Sequence, residues 1–130
     1  MRTKEWLEKR LTKIWDKYFS DVPAKNPVFI SFGRDATYRF GSIRLNLENN
    51  STIIKINGNF RRKNISSRII DHTIAHELVH YSQGFSSPHL RLHRYPHRGG
   101  IIDKELRERG LQKLVEFYHK WLNGYIKNLS

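Results

Sequence analysis

His76 and His80 stand four residues apart, and Glu77 directly follows the first of them. On a helix, positions four apart share a face and lie one turn from each other, so two imidazoles there can grip a single metal ion. Glu77 then falls beside that face, within reach of a water on the metal without having to be a ligand. Zinc lowers the pKa of such a water toward about 7 and polarises a carbonyl. A carboxylate placed like Glu77 can take the proton and later deliver it to a leaving amine. The chemistry on offer is metal-assisted hydrolysis, with peptides the natural substrate class.

A catalytic zinc usually takes three protein ligands and keeps one open position. His89, His93 and His97 lie in the loop that follows, and Glu105 and Glu108 lie in the next helical stretch. Spacing alone leaves all five open as the third ligand. His72 falls one turn before His76, and its simplest reading is an exposed residue that has nothing to do with the metal.

The two histidines need a helix, and the residues around them supply one from about Ser66 to Gln83. Ser66 or Ser67 can cap its start, Asp71 sits near its positive end, and Gly84 is a natural C-cap. Ile70, Ile74, Leu78 and Val79 give it a core-facing side. Upstream, Trp6, Leu7, Leu11, Ile14, Trp15 and Tyr18 recur at helical steps over residues 4–19 and read as core. Val28 to Phe32, a run from Tyr38 to Leu47 interrupted at Gly41-Ser42, and Thr52 to Asn57 read as strands, with a turn cluster at 48–51. Residues 85–98 form a loop rich in His, Arg and Pro. Residues 101–109 read as helix, Gly110 as a break, and Leu111 to Leu122 as a last amphipathic helix. The fold class expected is α+β: an N-terminal helix, a small, mostly antiparallel sheet of three or four strands, the His76–His80 helix, a metal loop and C-terminal helices.

The chain has 130 residues with 38% hydrophobic and 12% aromatic content, which fits one globular domain over 1–130. It has no cysteine, so any zinc must be held by His and carboxylates. No apolar run approaches a membrane span, and the first residues lack the apolar stretch of a signal peptide, so a soluble cytoplasmic protein is expected. With 24 Lys plus Arg against 12 Asp plus Glu, the net charge is +12. A small chain this basic attracts polyanions, nucleic acid being the commonest.

His76-Glu77-Leu78-Val79-His80-Tyr81, then Tyr95-Pro96-His97-Arg98, then Lys104-Glu105-Leu106 and Gly110, resemble the core of the SprT-like metalloprotease domain. Tyr38-Arg39-Phe40-Gly41 and Ile54-Lys55-Ile56-Asn57 are also similar to that family's approach to its active-site helix. The resemblance spans roughly residues 5–115, with specific motifs only from His76 to Gly110. It implies a zincin-like domain with one catalytic zinc on His76, His80 and His97 and with Glu77 as the catalytic carboxylate. There are departures: Ile101 and Ile102 stand where the family usually has an aromatic, and the cysteine zinc ribbon of many relatives is absent. Minimal gluzincins offer a second resemblance, which implies Glu105 or Glu108 as the third ligand. Tyr81, Tyr95 and Arg98 are candidates for stabilising the transition state.

SprT-like proteins include proteases that act on proteins crosslinked to DNA, so the resemblance implies an endopeptidase activated by DNA, single-stranded DNA above all. Arg61, Arg62, Lys63, Arg91 and Arg94 are the cations expected to grip phosphate near the site. Two other readings stand beside this one: a latent peptidase whose final helix covers the cleft, and a basic nucleic-acid-binding module with structural zinc closed by a fourth ligand.

Overall fold

A computed structural model describes residues 1–129. The chain folds into helix α1 (Lys4–Tyr18), strands β1 (Val28–Phe32), β2 (Gly41–Asn46) and β3 (Ser51–Ile56), and helices α2 (Ser67–Ser82), α3 (Ile101–Glu108) and α4 (Gln112–Leu129). The expected α+β order is therefore present. No helix among the described residues is long and apolar enough to cross a membrane.

The sheet has three strands in the order β1-β3-β2. β2 and β3 form an antiparallel hairpin, whereas β1 lies parallel to β3, so the sheet is mixed where the sequence reading expected mostly antiparallel pairing. The hairpin turn is set by asparagines. Asn46 Oδ1 accepts from the Glu48 amide at 3.0 Å, Asn49 Oδ1 accepts from the Ser51 amide at 3.2 Å, and Asn50 adopts a positive φ of 53°, a conformation this residue type tolerates.

Register places three rows across the sheet: Val28–Thr52–Leu45, Ile30–Ile54–Ile43 and Phe32–Ile56–Gly41. Alternation along a strand puts all three rows on one face. Ile30, Ile54 and Ile56 are buried there against the helices, in one core with Leu7, Leu11, Ile70, Ile74, Leu78 and Leu106.

The run that read as strand from Tyr38 begins its pairing only at Gly41. Asn57 explains the delay. Its side-chain amide donates to the carbonyls of Ala36 (2.7 Å) and Arg39 (2.9 Å), and its Oδ1 accepts from the Ala36 amide (3.2 Å). The segment before β2 is thereby held as a fixed loop.

α2 is the central element. α1, the sheet, α3 and α4 all pack on it, and its buried residues fall on every side of the helix. The Ser66 hydroxyl caps it by accepting from the Arg68 amide at 3.2 Å. Asp71 does not act at the helix terminus; it accepts from Arg10 Nε at 2.9 Å and so ties α2 to α1. At the other end Gly84 takes φ +80°, with the Phe85 amide donating to His80 O and the Gly84 amide to Tyr81 O, the αL ending that favours glycine.

α4 runs to Leu129, seven residues beyond the expected end. Trp121 and Tyr125 stack at 4.9 Å, both pack edge-on against Phe40, and the Tyr125 hydroxyl donates to Thr37 O at 2.6 Å. This aromatic seam holds the extra turns against the loop before β2.

Tyr81 is fully buried, its ring 5.4 Å edge-on from Trp15. Its hydroxyl donates to Asn26 Oδ1 (2.6 Å) and accepts from the Lys25 amide (3.1 Å). Tyr81→Phe leaves both partners unsatisfied, and we expect a loss of about 1–3 kcal/mol. Chemical denaturation of the metal-free chain measures it, and metal affinity should be unchanged.

Candidate metal centre

His76, His80 and His97 converge. Each offers one ring nitrogen to a group in which the ligating atoms lie within 4.8 Å of one another. His76 and His80 meet through their Nε2 atoms at 3.2 Å. A four-coordinate ion with metal–nitrogen bonds of about 2.05 Å sets two ligands about 3.3 Å apart, so the pair is already spaced for one ion. The His97 ring lies 4.5 Å from that of His80 and 5.9 Å from that of His76, centroid to centroid.

The loop that brings His97 back is folded onto the end of α2. The Leu92 amide donates to Gln83 O at 2.9 Å, His89 Nε2 donates to Pro23 O at 2.8 Å, and the Ser87 hydroxyl donates to Tyr81 O at 2.7 Å. Gly84 makes this return possible, since a Cβ there would lie 2.4 Å from the Leu90 backbone. His89 is thus a loop anchor, and neither it nor His93 joins the metal group.

The carboxylates proposed as alternative ligands lie elsewhere. Glu105 accepts from Arg109 Nε at 2.8 Å, and Arg109 also binds Asp21. Glu108 is an exposed partner of Lys104 at 3.9 Å. In each case a nearby cation on the same helix holds the carboxylate, and neither residue belongs to the three-histidine group. The carboxylates of the gluzincin-type alternative thus lie outside the group that converges. Tyr81 likewise leaves the set of transition-state candidates, because its hydroxyl is bound to Asn26 and Lys25. Tyr95 and Arg98 remain exposed beside His97, with the Arg98 guanidinium 4.8 Å from the Tyr95 ring centroid.

Glu77 is buried at 5% exposure and has no hydrogen-bond partner among the described residues. It opens onto a pocket of about 360 Å³ whose wall includes Tyr38, Arg39, Gly41, His76 and Tyr118. A Cβ at Gly41 would lie 2.6 Å from Thr73 Cγ2 and 2.9 Å from Glu77 Oε2. The third sheet row ends in glycine at the point where the carboxylate needs room. An isolated glycine in a strand signals such a close approach, but the sequence does not say what approaches.

Burial sets the protonation states. It pushes Glu77 up to about 8, with Arg39 opposing. Burial also pushes His76 down to about 4, aided by His97, and His80 down to about 3, aided by His76 and His97. His76 and His80 are therefore neutral at physiological pH and their nitrogen lone pairs are free to ligate. His72, read from sequence as exposed, is 3% exposed and stacks on Tyr118 at 3.8 Å, and burial holds it down at about 3. Its Nε2 and the Nδ1 of His80 are buried without a hydrogen-bond partner.

The five cations expected to bind phosphate divide between two places. Arg61 donates to Gly33 O (3.4 Å) and Arg62 to Asn59 Oδ1 (2.8 Å), beside exposed Lys63, after β3. Arg91 donates to His93 O and Arg94 O, both at 3.1 Å, inside the metal loop. Part of this set therefore braces backbone.

No protein-family model, no curated protein and no solved structure matches this chain.

Two measurements test the centre. His97→Ala should lower metal affinity by more than about 100-fold, beyond the usual effect of an outer-shell change, whereas Glu105→Ala and Glu108→Ala should leave it within a few-fold; competition with a chromophoric chelator reads this. The second measurement is the melting temperature of the chelated chain against pH. Unfolded, each imidazole binds its proton near 6.5, whereas in the folded chain His72, His76 and His80 do so only near 3, 4 and 3. Acidification below 6.5 then favours the unfolded state. Glu77 acts oppositely, holding its proton to about 8 instead of 4.5, so its contribution to stability is lost as pH rises from 4.5 to 8 and partly offsets the histidines below 6.5. A maximum near pH 6.5 is expected, and Glu77→Gln should remove the alkaline limb and steepen the acid limb between 4.5 and 6.5.

Proposed function

We propose that this protein is a zinc-dependent endopeptidase of the SprT-like type, acting on proteins associated with single-stranded DNA. The observation that carries the reading is the convergence of three imidazoles on one point, with a buried carboxylate directly following the first of them in α2. An all-histidine set with no thiolate suits zinc among the common metals. Three ligands with no fourth side chain in the group suit a catalytic ion more than a structural one.

Zinc, when bound, supplies Lewis-acid polarisation of the scissile carbonyl and activation of water near neutral pH. The chain's own residues do the rest. His76 and His80 hold their lone pairs at a fixed spacing because both lie on one buried helix. His97 completes the set from the loop. Glu77 serves as the proton acceptor and then the donor to the departing amine. Its affinity for a proton is raised by burial and lowered by Arg39, and a nearby dication lowers it further. Tyr95 and Arg98, exposed beside His97, are the remaining candidates for stabilising the oxyanion.

A latent form of the same enzyme is favoured by one observation. Tyr118 of α4 lines the Glu77 pocket, and α4 is fastened to the pocket's opposite wall through Tyr125 and Thr37.

Cleavage of a DNA-binding protein by the zinc-loaded chain, with and without single-stranded DNA, tests the proposal beside Glu77→Gln. We expect cleavage that needs both Glu77 and DNA, with at least about a 100-fold loss in Glu77→Gln while zinc stays bound. Cleavage indifferent to DNA removes the nucleic-acid role. No cleavage by the full chain, together with none after truncation beyond Trp121, removes the peptidase; cleavage that appears only after truncation supports latency.

A further inference from the structure

We infer that the cleft bounded by α1, the first turn of α2 and the α3–α4 junction binds the phosphate backbone of a single-stranded nucleic acid. The inference deepens the nucleic-acid part of the proposed function and rests on it, but it concerns a surface separate from the residues first expected to do this.

The cleft encloses about 820 Å³, and Lys13, Lys17, Arg68, Arg107 and Lys113 line it. None of these five has a carboxylate partner among the described residues. Two acids also line it: Asp71 is paired with Arg10, whereas Glu116 accepts only from the neutral Gln112 amide at 3.1 Å and keeps its charge. Cations from four separate stretches of chain thus face one cavity in clear excess over that single unpaired carboxylate. Such a surface carries a local positive potential that attracts anions.

The shape and the apolar lining select the anion. Ile14, Leu111, Leu114 and the half-buried ring of Tyr18 lie among the cations, and the Lys17 ammonium sits 5.3 Å from the Tyr18 centroid. A cationic groove with an aromatic platform is the pattern that takes phosphates along its walls and a base on its ring. A lipid bilayer is flat and cannot reach the floor of a cleft. An acidic peptide would be satisfied by the charges alone and has no use for a stacking surface.

The position fits the proposed reaction. Arg68 precedes His76 by eight residues on α2, about 12 Å along the helix axis. A strand held in the cleft would present its bound protein near the three histidines.

The test is fluorescence anisotropy of a labelled oligothymidylate with the zinc-loaded Glu77→Gln chain, titrated at several salt concentrations, so that binding is read whether or not the protein is a peptidase. Five phosphate contacts give a slope of log affinity against log salt of roughly −3.5, and two give roughly −1.4. Lys13→Gln/Lys17→Gln/Lys113→Gln should move the slope between these values. Lys4→Gln/Lys25→Gln/Arg44→Gln, which removes the same charge at exposed positions outside the cleft, should not, and Lys→Arg at the three cleft positions should restore it. An equal effect of both triple variants, or no effect of the first, overturns the inference. So does binding of phosphatidylserine vesicles or polyglutamate that is as tight and is lost through the same three lysines. Loss of cleavage by the wild-type chain with oligonucleotide binding intact would count against the peptidase and leave the cleft standing.

Discussion

A helix wrapped on every side by its neighbours ordinarily carries only apolar residues inward, yet α2 buries His72, Glu77 and His80. Each is an ionisable group withdrawn from water, and withdrawal penalises the charged form. The neutral imidazoles and the proton-loving carboxylate are two results of one constraint. The Nε2 atoms of His76 and His80 face each other at 3.2 Å, a spacing that suits an electron-deficient ion between them. The rest of the molecule serves to keep that space open and that helix dry.

The sheet contributes by what it omits. Its helix-facing rows are filled by Val28, Ile30, Phe32, Ile43, Ile54 and Ile56, until the third row ends at Gly41. The gap admits the Glu77 carboxylate. Asn57 holds the preceding loop so that this edge cannot drift, and the aromatic seam of Phe40, Trp121 and Tyr125 clamps the same loop from the α4 side. The wall opposite Glu77 is therefore anchored at both ends by contacts remote from it in sequence.

The parts of the structure legible in the sequence are those decided locally. Ser66 and Gly84 mark the limits of α2 within a residue or so, and the four-residue spacing of His76 and His80 implies their shared face. What was not legible depends on pairing across the chain. The parallel alignment of β1 with β3 follows from packing, since nothing in Val28–Phe32 itself fixes the direction of the strand it pairs with. The last helix reads as ending at Leu122, and only the contacts of Tyr125 with Thr37 and Phe40 show why α4 continues to Leu129. His72 reads as a surface residue because nothing near it in sequence announces that Tyr118 will cover it. Glu105 looks available as a ligand until Arg109, one turn later, is seen to hold it. The choice of His97 rested on a resemblance, and the convergence of the three rings is an independent geometric support for it.

Gly84 has a wider meaning than helix termination. The backbone of Leu90 and Arg91 presses so closely on it that no side chain fits, and its own φ of +80° disfavours one. Two unrelated constraints, space and handedness, thus fall on the residue from which the loop departs. Any descendant of this chain that replaced it would have to re-route the return of residues 85–97, and with that path would go the third imidazole. The convergence of the three imidazoles is in this sense inherited through a residue that is none of them.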